Sequence, residues 1–136
     1  MASFIALYDA CVLYPAPLRD VLMQMALTDL YQAKWSHMIH DEWMRNLLRN
    51  SPDLTRERLE RTRERMDAHT RDCLVIGFQE LIDTLDLPDP GDRHVLAAAI
   101  HGRADVIVTY NLSHFPPAHL SPYGIEAQPP DEFLTH

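Results

Sequence analysis

Blocks of apolar residues along the chain predict four strands separated by helices. The run SFIALY (residues 3–8) is short, apolar and bounded by Asp9, a pattern typical of a buried strand that ends in an acid. DVIVTY (105–110) is a continuous apolar run of the kind found in central strands of parallel sheets. Two shorter strands are predicted at YQAKW (31–35) and GIEAQ (124–128), the latter at an edge.

Helix boundary signals occur in the segments between these strands. Ser36 is a suitable N-cap for a helix that ends before Ser51-Pro52, because the residue before a proline is disfavoured in a helix. Asp89-Pro90 combines an N-cap with a proline at the first helical position, and Gly102 closes this alanine-rich helix. Helices are predicted over 17–31, 36–50, 53–72, part of 73–87, 89–100 and from Pro129 onward.

Strands that alternate with helices predict a single α/β domain over residues 1–136, with a parallel sheet and right-handed crossovers. Ligands of such folds gather beyond the carboxyl ends of the strands. Asp9 and the segment 109–111 both follow predicted strands. The sequence therefore predicts a site where these two strand ends meet.

Composition favours a globular cytoplasmic protein. The chain has 136 residues, of which 46% are hydrophobic and 24% charged. No apolar run approaches the roughly 20 residues of a membrane helix, and the N-terminus lacks the pattern of a signal peptide. Cys11 and Cys73 are isolated, which favours free thiols over a disulfide scaffold or a zinc motif.

The net charge of −8 is unevenly distributed. Residues 45–71 contain eight of the eleven arginines and five acids, a local balance of +3, so the remainder carries −11. This distribution predicts an acidic pocket beside a basic segment. Arg58, Arg61 and Arg65 of that segment are candidates for RNA contacts, although charge pairs such as Glu57–Arg61 also fit an ordinary solvated helix surface.

Three acids on different elements are candidates for metal chemistry. Asp9 follows a strand, Glu42 lies within a helix, and Asp92 lies in the first turn of another. Carboxylates that converge from separate elements can hold Mg²⁺ or Mn²⁺, which neutralise phosphate charge and activate water for phosphodiester hydrolysis. Each acid also has an ordinary interpretation: Asp9 as a cap, Glu42 as a solvated side chain and Asp92 as an N3 residue.

Other catalytic arrangements find less support. His94, His101 and His114 lack the spacing of a zinc motif and are predicted to be surface residues. Lys34 is the only lysine, and no P-loop motif is present. Asp9-Ala10-Cys11 does not match the D-x-D expected of a haloacid-dehalogenase-type phosphatase.

Three blocks together resemble the PIN-domain family, especially the bacterial branch related to VapC-type toxins. They are YDACVLYP, the acid within HDEWMRNLL, and DPGDRHVLAAAIHGRADVIVTYNLSHFP, in the family's order and across nearly the whole chain. The resemblance implies a three-layer α/β/α fold with a central, mainly parallel sheet. It also implies an acidic site that binds Mg²⁺ or Mn²⁺ and cleaves RNA.

The resemblance assigns roles to individual residues. It implies that Asp9, Glu42 and Asp92 are the first three acids of the metal site. Asn111 takes a fourth position where the family often has Asp, so it offers an oxygen without a charge. Two further candidates are Asp89 as an additional metal ligand and Thr109 as a substrate-positioning residue.

The preferred hypothesis is a metal-dependent endoribonuclease, implied by the resemblance to be the toxin of a toxin–antitoxin pair. Its expected partners are RNA, a small antitoxin and a second copy of the chain. Apolar Leu18, Leu22 and Met25 are the predicted partner surface, and the chain's end soon after DEFLTH suggests truncated C-terminal elements. The alternative, favoured by Asn111 and the negative charge, is a catalytically weakened PIN-like module that binds RNA or protein.

Overall fold

The computed structural model describes residues 4–135 and has a four-stranded sheet at its centre. All neighbouring strands pair in parallel, in the order β2-β1-β3-β4. The fold is therefore α/β with a parallel sheet, as predicted, and Ser3 of the first predicted strand lies outside the described residues. The strands are β1 (Ile5–Tyr8), β2 (Gln32–Lys34), β3 (Val106–Val108) and β4 (Glu126–Gln128).

Eight helices and three 3-10 turns connect these strands within the described residues. The helices are α1 (Ala10–Leu13), α2 (Ala16–Ala26), α3 (His37–Asn50), α4 (Arg56–His69), α5 (Gln79–Ile82), α6 (Arg93–His101), α7 (Pro117–Leu120) and α8 (Pro130–Leu134). The turns are Pro90–Asp92, Leu112–His114 and Ser121–Tyr123. None of the helices within residues 4–135 combines the length and apolarity needed to cross a bilayer.

The sheet is covered on both faces. Consecutive residues of a strand point to opposite faces, and Ala6, Leu7 and Tyr8 of β1 are all fully buried. The residues of β3 are equally buried, as expected for the central strands of a parallel sheet. Helices therefore pack on both sides, which gives the three layers that the family resemblance implied.

A buried polar network ties α3 to α4. Trp43 Nε1 donates to His40 Nδ1 at 3.0 Å, so this imidazole nitrogen carries no proton. His40 Nε2 then donates to Asp67 Oδ1 at 2.8 Å, and Trp35 Nε1 donates to the same oxygen. Burial is the main cause that lowers the pKa of His40, partly opposed by Asp67, and favours the neutral form. The network fixes the helix that carries Glu42.

The predicted partner surface on α2 is wrong. Leu22 is fully buried, and Leu18 and Met25 pack against the core, because this side of α2 faces inward. The predicted helix 17–31 also ends early, at Ala26, after which the chain turns through Asp29 with a φ of 61°. The exposed apolar side chains of this region are Val21, Leu27 and Leu30, at 46%, 56% and 73% exposure.

Candidate metal centre

Asp9 directly follows the carboxyl end of β1, which lies beside the carboxyl end of β3. Its backbone N–H donates to Val108 O at 3.1 Å, which fixes it beside the end of β3. The carboxylate caps α1 by accepting from Ala10 N at 2.7 Å through Oδ1. Oδ2 accepts from the Thr109 hydroxyl at 2.8 Å. The ordinary interpretation of Asp9 as a cap is therefore confirmed, and the same carboxylate is also bonded to Thr109 at the end of β3.

Burial governs the electrostatics of Asp9. The side chain is only 2% exposed, and this desolvation is the largest cause that raises its pKa above the ordinary aspartate value. The hydrogen bond from Thr109 opposes the rise, and the negative charge of Glu42 adds to it. Asp9 and Glu42 thus lie close enough to repel each other.

Thr109 and Cys11 complete the surroundings of Asp9. The fully buried Thr109 hydroxyl donates to Asp9 and accepts from Asn111 N at 3.0 Å, so it couples the two strand ends. Cys11 Sγ lies 3.6 Å from Asp9 Oδ2 and accepts from Tyr110 N at 3.3 Å. Burial raises the pKa of this thiol to about 11, so Cys11 packs as a neutral group. The direct contact of Thr109 is with Asp9, and a role toward substrate stays a prediction.

Glu42 reaches the site from α3, whose first turn is capped by Ser36 through a 3.1 Å bond from Ile39 N. Glu42 Oε1 lies 3.1 Å from His94 Nε2 on α6. The prediction that His94 is a surface residue is wrong, because its side chain is buried against Glu42. Its place in the first turn of α6, two residues after Asp92, was the one available signal of this role.

The side chain of Asp92 does not cap a helix, because a 3-10 turn precedes α6 where an α-helix was predicted. Residues Pro90–Asp92 form a 3-10 turn, and α6 begins only at Arg93. Asp89 caps the turn, accepting from Gly91 N at 2.8 Å, whereas the side chain of Asp92 makes no capping bond. Asp92 therefore keeps its predicted place three residues after the Asp89 cap, but its carboxylate makes no capping bond and is available for other contacts.

His114 meets Asp92 from the turn that follows β3. His114 Nδ1 lies 3.0 Å from Asp92 Oδ2, and one ligand atom each from Asp89, Asp92 and His114 lie within 4.8 Å of one another. The tightest group within residues 4–135 thus contains a histidine and two of the predicted acids, while Asp9 and Glu42 lie outside it. His114 was predicted to be a surface residue, and its side chain is partly exposed, at 42%.

The acids are not neutralised by a fixed cation. Burial is the largest cause that raises the pKa of Asp92 to about 6, the charge of Asp9 adds to the rise, and His114 opposes it. Within the described chain, no arginine or lysine nitrogen lies within 4.0 Å of a carboxylate of Asp9, Glu42, Asp89 or Asp92. Asp92 Oδ2 is buried without a hydrogen-bond partner. A divalent cation fits this set, because it would supply the missing positive charge and use the free oxygen.

The remaining predicted residues lie outside this contact network. Asn111 is exposed, and among residues 4–135 its side chain makes no hydrogen bond, while its N–H bonds Thr109. Arg58, Arg61 and Arg65 are exposed on α4, and Arg65 lines a groove between α2 and α4. None of the three pairs with a site acid in the part of the chain that the structure describes.

Comparison with known proteins gives one family. The sequence profile of the PIN domain matches residues 6–113. VapC50 of Mycobacterium tuberculosis, itself named as a proposed ribonuclease, is 65% identical over 62 residues, which are 46% of this chain and 36% of that protein. The chain therefore matches only about a third of this relative's length.

Two solved structures share the fold. VapBC-1 from nontypeable Haemophilus influenzae aligns with a TM-score of 0.63 and 14% identity, covering 94% of this chain and 99% of the other. VapBC2 from Rickettsia felis, bound to a DNA fragment from its promoter, aligns with a TM-score of 0.56 and 16% identity, covering 92% and 99%. At these identities the likeness concerns the fold.

The crowding of acids predicts that Asp92→Asn stabilises the metal-free protein at pH 7. A carboxyl whose pKa is raised on folding contributes most stability when protonated, and this contribution is lost as the pH rises from about 4 to about 6. Solvent screening and the α6 dipole reduce the effect, so we expect a Tm gain of about 2–4 °C at pH 7. The gain should vanish near pH 4.

Thermal unfolding in EDTA between pH 4 and pH 8 measures this difference. Asp86→Asn, at an exposed carboxyl, is the matched control and should leave the pH dependence of Tm unchanged. A lower Tm for Asp92→Asn at pH 7 would instead assign Asp92 a stabilising structural role.

Proposed function

The chain belongs to the PIN-domain family, and from this premise we propose that it is an Mg²⁺- or Mn²⁺-dependent endoribonuclease that hydrolyses RNA phosphodiester bonds. The observation that carries the proposal is the group of ligand atoms from Asp89, Asp92 and His114 within 4.8 Å of one another. Besides burial, the negative charges of Asp9 and Glu42 also raise the pKa of Asp92, and no arginine or lysine in the described chain pairs with these acids. A relative named as a proposed ribonuclease supports the same activity.

Asp9, Glu42 and Asp92 would hold the cation, with Asp89 as a further ligand. Their oxygen donors match the preference of Mg²⁺ and Mn²⁺ for hard ligands. When bound, the cation would neutralise charge on the phosphoryl oxygens and lower the pKa of an attacking water. Asn111 would contribute an uncharged oxygen at the exposed rim of the site.

The chain's own residues orient the acids for this task. The Thr109 hydroxyl holds one oxygen of Asp9, and Ala10 N holds the other. His94 holds one oxygen of Glu42, whose second oxygen makes no hydrogen bond within residues 4–135. These fixed carboxylates would present a preorganised site to the phosphate, so little reorganisation would accompany the reaction.

The partners follow from the family resemblance and remain proposals. We propose a small antitoxin, supported by the shared fold of the VapBC structures, and a second copy of the chain. Val21, Leu27 and Leu30 offer exposed apolar area near α2 for either partner. A role as a toxin and a location in the cytoplasm are proposed on the same resemblance.

Cleavage of a mixed pool of single-stranded RNA, with mapped ends, tests the proposed activity. We expect cleavage with Mn²⁺ or Mg²⁺, its loss in EDTA, and a reduction of about 100-fold in Asp92→Asn, equivalent to about 2.7 kcal/mol of transition-state stabilisation. Asp86→Asn should cleave as the wild type does. EDTA-resistant cleavage or a fully active Asp92→Asn would contradict the assignment, and RNA binding without cleavage would favour the alternative binding module.

The arginines of α4 are proposed to bind the RNA backbone. Replacing Arg58, Arg61 and Arg65 with Gln should weaken RNA binding and lower the slope of log Kd against log salt by about 2, since each phosphate contact contributes about 0.7 for single strands. A salt titration with an uncleaved RNA in EDTA measures the slope. A control that replaces Arg45, Arg49 and Arg71 removes the same charge elsewhere, and an equal effect there would assign binding to net charge alone.

A further inference from the structure

His114 is held at the site by the chain on either side of it. The turn Leu112–His114 follows β3 directly, and His114 N donates to Asn111 O at 3.0 Å. Phe115, the next residue, is only 1% exposed and anchors the turn in the core. The imidazole therefore projects from a fixed backbone, with its Nδ1 atom buried although part of the ring is exposed.

The contact between His114 and Asp92 lacks a hydrogen bond. Nδ1 and Oδ2 lie 3.0 Å apart, yet both atoms are buried without a hydrogen-bond partner within residues 4–135. When the imidazole proton lies on Nε2, Nδ1 and the carboxylate oxygen are both acceptors, so neither atom satisfies the other. A proton or a metal ion shared by the two atoms would satisfy both.

The neighbouring acid favours a metal ion over a proton. A ligand atom of Asp89 lies within 4.8 Å of those of Asp92 and His114, so two carboxylates and one imidazole lie close enough to share one ion. A single proton can bridge only two of these atoms, whereas all three could coordinate one metal ion.

We propose that His114 is a nitrogen ligand of the metal centre and biases it toward Mn²⁺ over Mg²⁺. This inference rests on the proposed function, since it concerns the same acidic site. Mg²⁺ prefers oxygen ligands and gives up its water reluctantly, whereas imidazole binds transition-metal ions well. One nitrogen donor beside Asp89 and Asp92 therefore discriminates between the two ions, which an all-carboxylate site does less strongly.

Pulsed electron paramagnetic resonance of bound Mn²⁺ tests the ligand directly. We expect the wild-type protein, loaded with Mn²⁺ alone, to show modulation from a coordinated ¹⁴N nucleus, and His114→Gln to lose it. His101→Gln removes an exposed histidine from the last turn of α6 and should keep the signal. Modulation that survives in His114→Gln would assign the nitrogen to another residue, such as His94 beside Glu42, and would overturn the proposal.

Calorimetric titration with Mn²⁺ and with Mg²⁺ tests the selectivity. His114→Gln should weaken Mn²⁺ binding by about 10-fold or more and Mg²⁺ binding by much less. His114→Asp restores a ligand but supplies oxygen, so its preference should move toward Mg²⁺. Equal losses for the two ions in His114→Gln, or no Mn²⁺ binding by the wild type, would overturn the proposal.

The outcomes separate this inference from the proposed function. Nitrogen coupling without RNA cleavage would overturn the ribonuclease and leave His114 as a ligand. RNA cleavage with Mn²⁺ but without nitrogen coupling would overturn His114 as a ligand and leave the ribonuclease in place.

Discussion

Repulsion among carboxylates at the carboxyl ends of β1 and β3 is the constraint on which the site depends. Parallel pairing of these strands fixes Asp9 beside Thr109, while α3 and the turn before α6 bring Glu42 and Asp92 toward the same place. Burial of the acids strengthens the repulsion, because less water screens it. The buried core around β1 and β3 offsets this cost, and a bound cation would relieve it.

The polar neighbours of the acids share one property, which is that none of them carries a permanent positive charge. A hydroxyl holds Asp9, and imidazoles lie against Glu42 and Asp92. An arginine in any of these places would form a lasting ion pair and reduce the attraction for a metal ion. The arginines are instead concentrated on α4, where Arg63 pairs with Asp41 and others remain exposed.

The sequence predicted the features that depend on local pattern. The four strands and the acid after β1 follow from apolar runs and their boundaries. The roles of His94 and His114 depend on which residues face them across the fold, and the sequence offered only one signal, the position of His94 two residues after Asp92. The 3-10 turn that frees Asp92 was also missed, because Asp89-Pro90 is an equally good start for an α-helix. On α2, apolar residues alone did not distinguish the core-facing side from the exposed one.

A measurement of the pKa of Asp92 tests most directly whether the acids form an unneutralised cluster that a cation completes. Nuclear magnetic resonance of carboxyl-labelled aspartate can follow this group through a pH titration, with Asp86 as an exposed reference. Our account predicts a pKa of about 6 without metal and a clear fall once Mg²⁺ or Mn²⁺ is added. A pKa near the ordinary aspartate value of about 3.9 in both conditions would contradict it.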